Sequence, residues 1–101
     1  MVRHIVCYKL KDPTDEVKQK TKEIFLSMQG RVPEVKSVTV GIDELHSERS
    51  YDIVLDVTFD SFEAMASYQR NDYHVSVVKK HVHSVKESSV SVDFTIPDTQ
   101  D

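Results

Sequence analysis

The spacing of apolar residues in this chain switches between two periods, and the order of the switches constrains the fold more than any other feature. Side chains alternate across a strand, so apolar residues recur there at every second position; along one helix face they recur every 3.6. Residues 2–10 alternate, with Val2, His4, Val6, Tyr8 and Leu10 on one face and Arg3, Ile5, Cys7 and Lys9 on the other. Asp12-Pro13 suits a helix start, since Asp can cap and Pro fits the first helical position. Val17, Thr21, Ile24, Phe25 and Met28 then fall on a helical stripe, and Gly30 suits its end. Residues 35–42 and 51–59 return to alternation, and Tyr51, Ile53, Leu55, Val57 and Phe59 mark the clearest strand. Asp60-Ser61-Phe62-Glu63 has capping-box character and opens a second helix to about Arg70. After a break at Asn71-Asp72, residues 73–85 resume a stripe through His74, Val78, His81, Val82 and Val85. Val90, Val92, Phe94 and Ile96 alternate with polar residues in a last strand.

The order β-α-β-β-α-β is that of the ferredoxin-like plait, an α+β fold with a four-stranded antiparallel sheet and helices on one face. With 101 residues the whole chain is expected to form a single domain with one core and no deep private cavity, leaving 97–101 as a short loose tail. The bare face of such a sheet must meet water or another molecule. Apolar residues on both faces of 2–10 favour a second copy, a homodimer that closes two sheets into a barrel and shelters their edges. The net charge of −4 lacks the footprint of a nucleic-acid binder. One cysteine forms no internal disulfide, and two glycines leave no phosphate-cradling loop. No apolar run reaches the roughly 20 residues that span a bilayer, and the start is too short in apolar residues for a signal peptide. A cytoplasmic protein without membrane or nucleic-acid partners is therefore expected.

Several short pieces resemble one family. His4-Ile5-Val6 lies in the first strand, Val32-Pro33-Glu34-Val35 precedes the second, and Gly41 closes it. Tyr51-Asp52 opens the third strand, Phe59-Asp60-Ser61 leads into the second helix, Tyr68 and His74 follow, and Asp93-Phe94 lies in the last strand. In this order and spacing they resemble the stress-responsive A/B barrel (Dabb) family of small dimeric α+β barrels, from about residue 2 to 96. Most members have no assigned activity. The resemblance implies a small organic ligand in a pocket between sheet and helices. Plant polyketide cyclases of the family use a His in the first strand, a Tyr late in helix two and a His just beyond it. Here those positions are His4, Tyr68 and His74. The resemblance implies that His74 removes a proton from a carbon flanked by carbonyls while Tyr68 or His4 holds the enolate oxygen. Imidazole titrates near neutral pH and a phenol can donate to an oxyanion, so the residue types suit that chemistry. The related sequences commonly carry His-Pro before the later His; Asn71-Asp72-Tyr73 makes this loop more polar and bulkier.

Blander readings stand beside these. His4, Tyr68 and His74 suit core packing as well as chemistry. His74, His81 and His83 do not converge as metal ligands on one helix, since 81 and 83 point about 200° apart. His81 and His83 beside Lys79, Lys80 and Lys86 read as a solvated basic patch, with His81 able to pack inward. Cys7 reads as a buried free thiol. No motif for flavin, haem or nicotinamide is present, so no cofactor and no metal are expected. Three functions follow: a small-molecule-binding dimer of unassigned activity, a cyclase or lyase using His74, Tyr68 and His4, and a cofactor-free monooxygenase by fold analogy.

Overall fold

A computed structural model describes residues 1–97; the rest of the expected loose tail, 98–101, lies outside the described residues. The strands are β1 (Val2–Leu10), β2 (Ser37–Ile42), β3 (Ile53–Phe59) and β4 (Lys86–Thr95). They form one antiparallel sheet in the order β2-β3-β1-β4. The helices are α1 (Asp15–Leu26), α2 (Phe62–Gln69) and α3 (Lys80–Val85), and a π-helical segment, His74–Lys79, runs directly into α3. The chain is thus an α+β ferredoxin-like plait with a split second helical region.

The element ends differ from expectation where polar side chains decide them. Thr14, not Asp12, caps α1, its hydroxyl accepting from the Val17 N–H at 3.2 Å. The Asp12 carbonyl is used by the Thr14 N–H in a turn before the helix, which delays the start. Gly30 sits in the turn beyond α1 at φ +87°, a left-handed conformation that favours glycine. Ser61 caps α2 as its sequence suggests, accepting from the Ala64 N–H at 3.0 Å.

Ile53, Leu55, Val57 and Phe59 of β3 are almost fully buried. They pack with Phe25 and Met28 from α1 and the end of that helix, Tyr68 from α2 and Val78 from the π-helical segment in one core. The opposite sheet face carries no helix. Register places Arg3, Ile5 and Cys7 of β1 there, opposite Thr58, Asp56 and Val54 of β3. It also places Phe94, Val92 and Val90 of β4 opposite those same β1 residues. Val90, Val92 and Phe94 are 50%, 62% and 36% exposed. β4 is therefore apolar on the bare side and polar on the helix side, the reverse of β3. Among the described residues no helix is long and apolar enough to cross a membrane.

Candidate functional site

The helix side of β1 and β4 forms one wall of a cavity of about 150 Å³. His4, Tyr68 and His74 all line it, brought from β1, α2 and the π-helical segment. The Tyr68 and His74 rings lie 4.0 Å apart between centroids, and the His4 and Tyr68 rings 6.3 Å apart and edge-on. Tyr8, Phe25, Leu55, Val78 and Val82 give the cavity an apolar body. Lys79, His83, Lys86 and Ser89 stand around it, the first, second and fourth of them exposed.

His4 is held by a residue that its own strand does not supply. Register sets Asp93 of β4 directly opposite His4, and the Asp93 carboxylate meets the His4 Nδ1. With Asp93 ionised, Nδ1 carries the proton and donates it, so Nε2 keeps its lone pair. Asp93 belonged to the family-like pieces of the last strand; its position against His4 depends on a register that the sequence does not print.

His74 is 6% exposed, and its Nδ1 is buried without a hydrogen-bond partner among the described residues. Burial first, then the charges of Lys79 and His4, pull its pKa down to about 4. The ring is therefore neutral at pH 7. Burial pushes the Tyr68 phenol well above its usual value, with Tyr8 adding to the effect, and burial raises Tyr8 to about 12. Both phenols stay protonated at neutral pH and so remain donors.

Asn71 fixes the start of the segment that carries His74, its Oδ1 accepting from the His74 N–H at 3.1 Å. Tyr73, the bulky residue of this loop, does not line the cavity. Its hydroxyl meets the Ser27 hydroxyl at 2.6 Å and the Arg31 guanidinium lies 5.3 Å from its ring centre. The bulk of Tyr73 thus fastens the loop to the end of α1 and stays out of the cavity.

The histidines of the basic patch divide between different surroundings. His81 packs inward, its Nε2 2.8 Å from the Thr21 hydroxyl, whose own proton goes to the Val17 carbonyl at 2.8 Å. His83 stands at the cavity mouth. Among the described residues no group of three or more His, Cys, Asp or Glu is arranged to hold a metal ion. Cys7 is half-buried on the bare face, beside a wider concavity of about 340 Å³ that Arg49 and Tyr51 also line.

The model of the stress responsive A/B barrel domain matches residues 2–96. No curated protein sequence matches the chain. Among solved structures it is similar to a dimeric protein of unknown function and ferredoxin-like fold from Bacteroides fragilis, at 26% identity and TM-score 0.77, covering 94% of this chain and 95% of that one. A dimeric ferredoxin-like protein of unknown function from Thermobifida fusca matches at 20% identity and TM-score 0.81, covering 94% and 90%. A hydroxynitrile lyase from Passiflora edulis matches at 19% identity and TM-score 0.81, covering 99% and 96%. At such identities the last two likenesses carry the fold.

Proposed function

Because the chain belongs to the stress-responsive A/B barrel domain family, we propose that it acts as a homodimer that binds a small carbonyl compound beneath its helices and moves a proton on it. The observation that carries this reading is the meeting of His4, Tyr68 and His74 around one cavity, with Asp93 behind His4. Asp93 fixes one ring nitrogen of His4 and leaves the other for a ligand.

The roles within the trio follow from their surroundings. A base held neutral by a pKa of about 4 takes up a proton reluctantly at pH 7. We assign the base to His4, whose Nδ1 Asp93 holds, in place of the His74 that the resemblance implied. His4 Nε2 accepts the proton as the C–H bond next to the carbonyl breaks, and the electron pair moves to the carbonyl oxygen. The growing imidazolium keeps its Nδ1–H on Asp93. Tyr68, kept protonated by burial, donates to the enolate oxygen, and neutral His74 positions the ring of Tyr68 and the ligand. Return of the proton to carbon completes a hydrogen exchange, whereas attack of that carbon on a second carbonyl of the same ligand forms the C–C bond of a cyclase-type reaction, the new alkoxide taking the proton held by His4.

The ligand is small. A cavity of about 150 Å³ is of the size that holds one benzene ring in an engineered protein core, so a long polyketide chain would extend through the mouth. An oxygenase reading rests on fold likeness alone.

The dimer reading rests on the bare face. Ile5, Val54, Val90, Val92 and Phe94 share it with the cross-strand ion pair of Arg3 and Asp56, and the Arg3 guanidinium lies 5.7 Å from the Phe94 ring centre. An apolar face rimmed by such pairs fits a second copy, and two similar structures are dimeric proteins.

Deuterium exchange at the methyl group of acetophenone, followed by NMR, tests the chemistry. The expected result is acceleration by the wild type and a loss of about a hundredfold in both His4→Ala and Asp93→Asn. Exchange that is indifferent to His4 overturns the reading.

A further inference from the structure

The two lysines at the cavity, Lys79 and Lys86, are each brought there by a local irregularity of the backbone. In a regular α-helix, five residues rotate the chain so that Lys79 would point about 140° away from His74. The segment His74–Lys79 is π-helical instead. Its wider turn closes from residue i to i+5, which returns Lys79 to the side of His74. Both residues line the cavity, and the Lys79 charge acts on the His74 ring.

Lys86 owes its place to a second irregularity. Ser88 pairs with Lys9, but Lys86, not Glu87, pairs with Leu10, so the ladder shifts by one residue between Lys9 and Leu10. Tyr8 and Leu10 face the helices, and Ser89 opposite Tyr8 faces them too. By unbroken alternation Glu87 would follow Ser89 to the helix side, and Lys86 would face away. The extra residue reverses this and brings Lys86, not Glu87, to the cavity. Neither Lys79 nor Lys86 has an acidic partner among the described residues. At the inner end, His74 offers a buried ring nitrogen that is likewise unpartnered.

We propose that the cavity selects small carbonyl compounds that carry a carboxylate, with the anion held at the mouth by Lys79 and Lys86 and the carbonyl end directed inward to His4, Tyr68 and His74. The selection works against the chain as a whole, whose net charge is −4; the two lysines create a local positive field where the ligand enters. This inference rests on the carbonyl chemistry proposed above and adds the class of its substrate. A phosphate on a larger thioester would use the same two lysines from outside the cavity, and the test separates that source.

Calorimetric binding of 4-acetylbenzoate and of its neutral isostere 4-acetylbenzamide at pH 7.5 and low salt decides the matter, with coenzyme A as the phosphate probe. The acid is expected to bind about tenfold more tightly than the amide. That preference should fall severalfold in Lys79→Met and in Lys86→Met, and shrink as salt is raised. Circular dichroism of the two variants checks that they fold, and unchanged affinity for the amide checks that the cavity is intact. Equal affinity of acid and amide in the wild type overturns the inference, as does a preference that survives both substitutions. Coenzyme A binding more tightly than the acid, with the same dependence on lysine, overturns the carboxylate assignment in favour of phosphate. The two readings fail separately. Lysine-dependent binding without His4-dependent exchange of acetophenone removes the chemistry and keeps the anion site. His4-dependent exchange without acid preference removes the anion site and keeps the chemistry.

Discussion

His74 and His4 differ in what their ring nitrogens meet: Asp93 holds the His4 Nδ1, whereas the His74 Nδ1 is buried without a partner among the described residues. Burial holds His74 neutral, with a pKa of about 4 against an ordinary value near 6.5. The unfolded chain therefore binds this proton first as pH falls. Stability that is fully present above about pH 6.5 is lost as pH falls toward 4. At roughly 1.4 kcal/mol per pKa unit, the loss traceable to this side chain is about 3 kcal/mol. Urea unfolding at pH 7.5 and pH 4 should show the wild type losing more stability than His74→Gln by about that amount; equal losses would show that His74 does not titrate in this way. The residue types of the trio were legible from the sequence, since His4, Tyr68 and His74 reach one cavity as the resemblance implied. Their division of labour was not. Asp93 is one of five Asp residues in strands or directly beside them, and only a cross-strand register sets it against His4.

At the level of elements, apolar spacing located the strands and helices, and capping hydroxyls set where α1 and α2 begin. The irregular features escaped it. A stripe at offsets 0, 4, 7, 8 and 11 is the same whether its first turn is α- or π-helical, so residues 73–85 read as one helix. The bulge at the start of β4 was equally silent, because Lys86, Glu87 and Ser88 are all polar. These two irregularities moved Lys79 and Lys86 out of an expected solvated patch and into the mouth of the cavity. The caps, by contrast, are written plainly. Ser61 anchors the short helix that carries Tyr68, and Ser61→Ala should cost about 1 kcal/mol in chemical denaturation. A change within error would mean that packing alone holds α2 in place.

For the molecule as a whole, the limit set by its length was sound. One core is present, and the cavity beneath the helices is small and lined by the same side chains that build it. Of the exposed large apolar residues, Val90, Val92 and Phe94 lie together on the other side of the sheet, where they form one stripe and not isolated exposed positions. Light scattering at micromolar concentration should give a mass near twice 11.6 kDa. Val92→Asp, which places a charge in the middle of that face, should raise the dissociation constant by about a hundredfold or more, some 2.7 kcal/mol. A wild-type monomer would sink the sheet-to-sheet dimer, and an unaffected variant would move the interface elsewhere.

β4 carries two sets of instructions interleaved along one line of ten residues. Its odd-numbered positions 89, 91 and 93 look toward the cavity, and its even-numbered positions 90, 92 and 94 look toward the bare face. Slipping the strand by a single position would exchange the sets at a stroke, burying Asp93 in the contact between copies and driving Phe94 into the space meant for a ligand. Parity therefore ties the two faces together: a strand paired one residue out would lose the contact of Asp93 with His4 and the apolar stripe of the bare face at the same time.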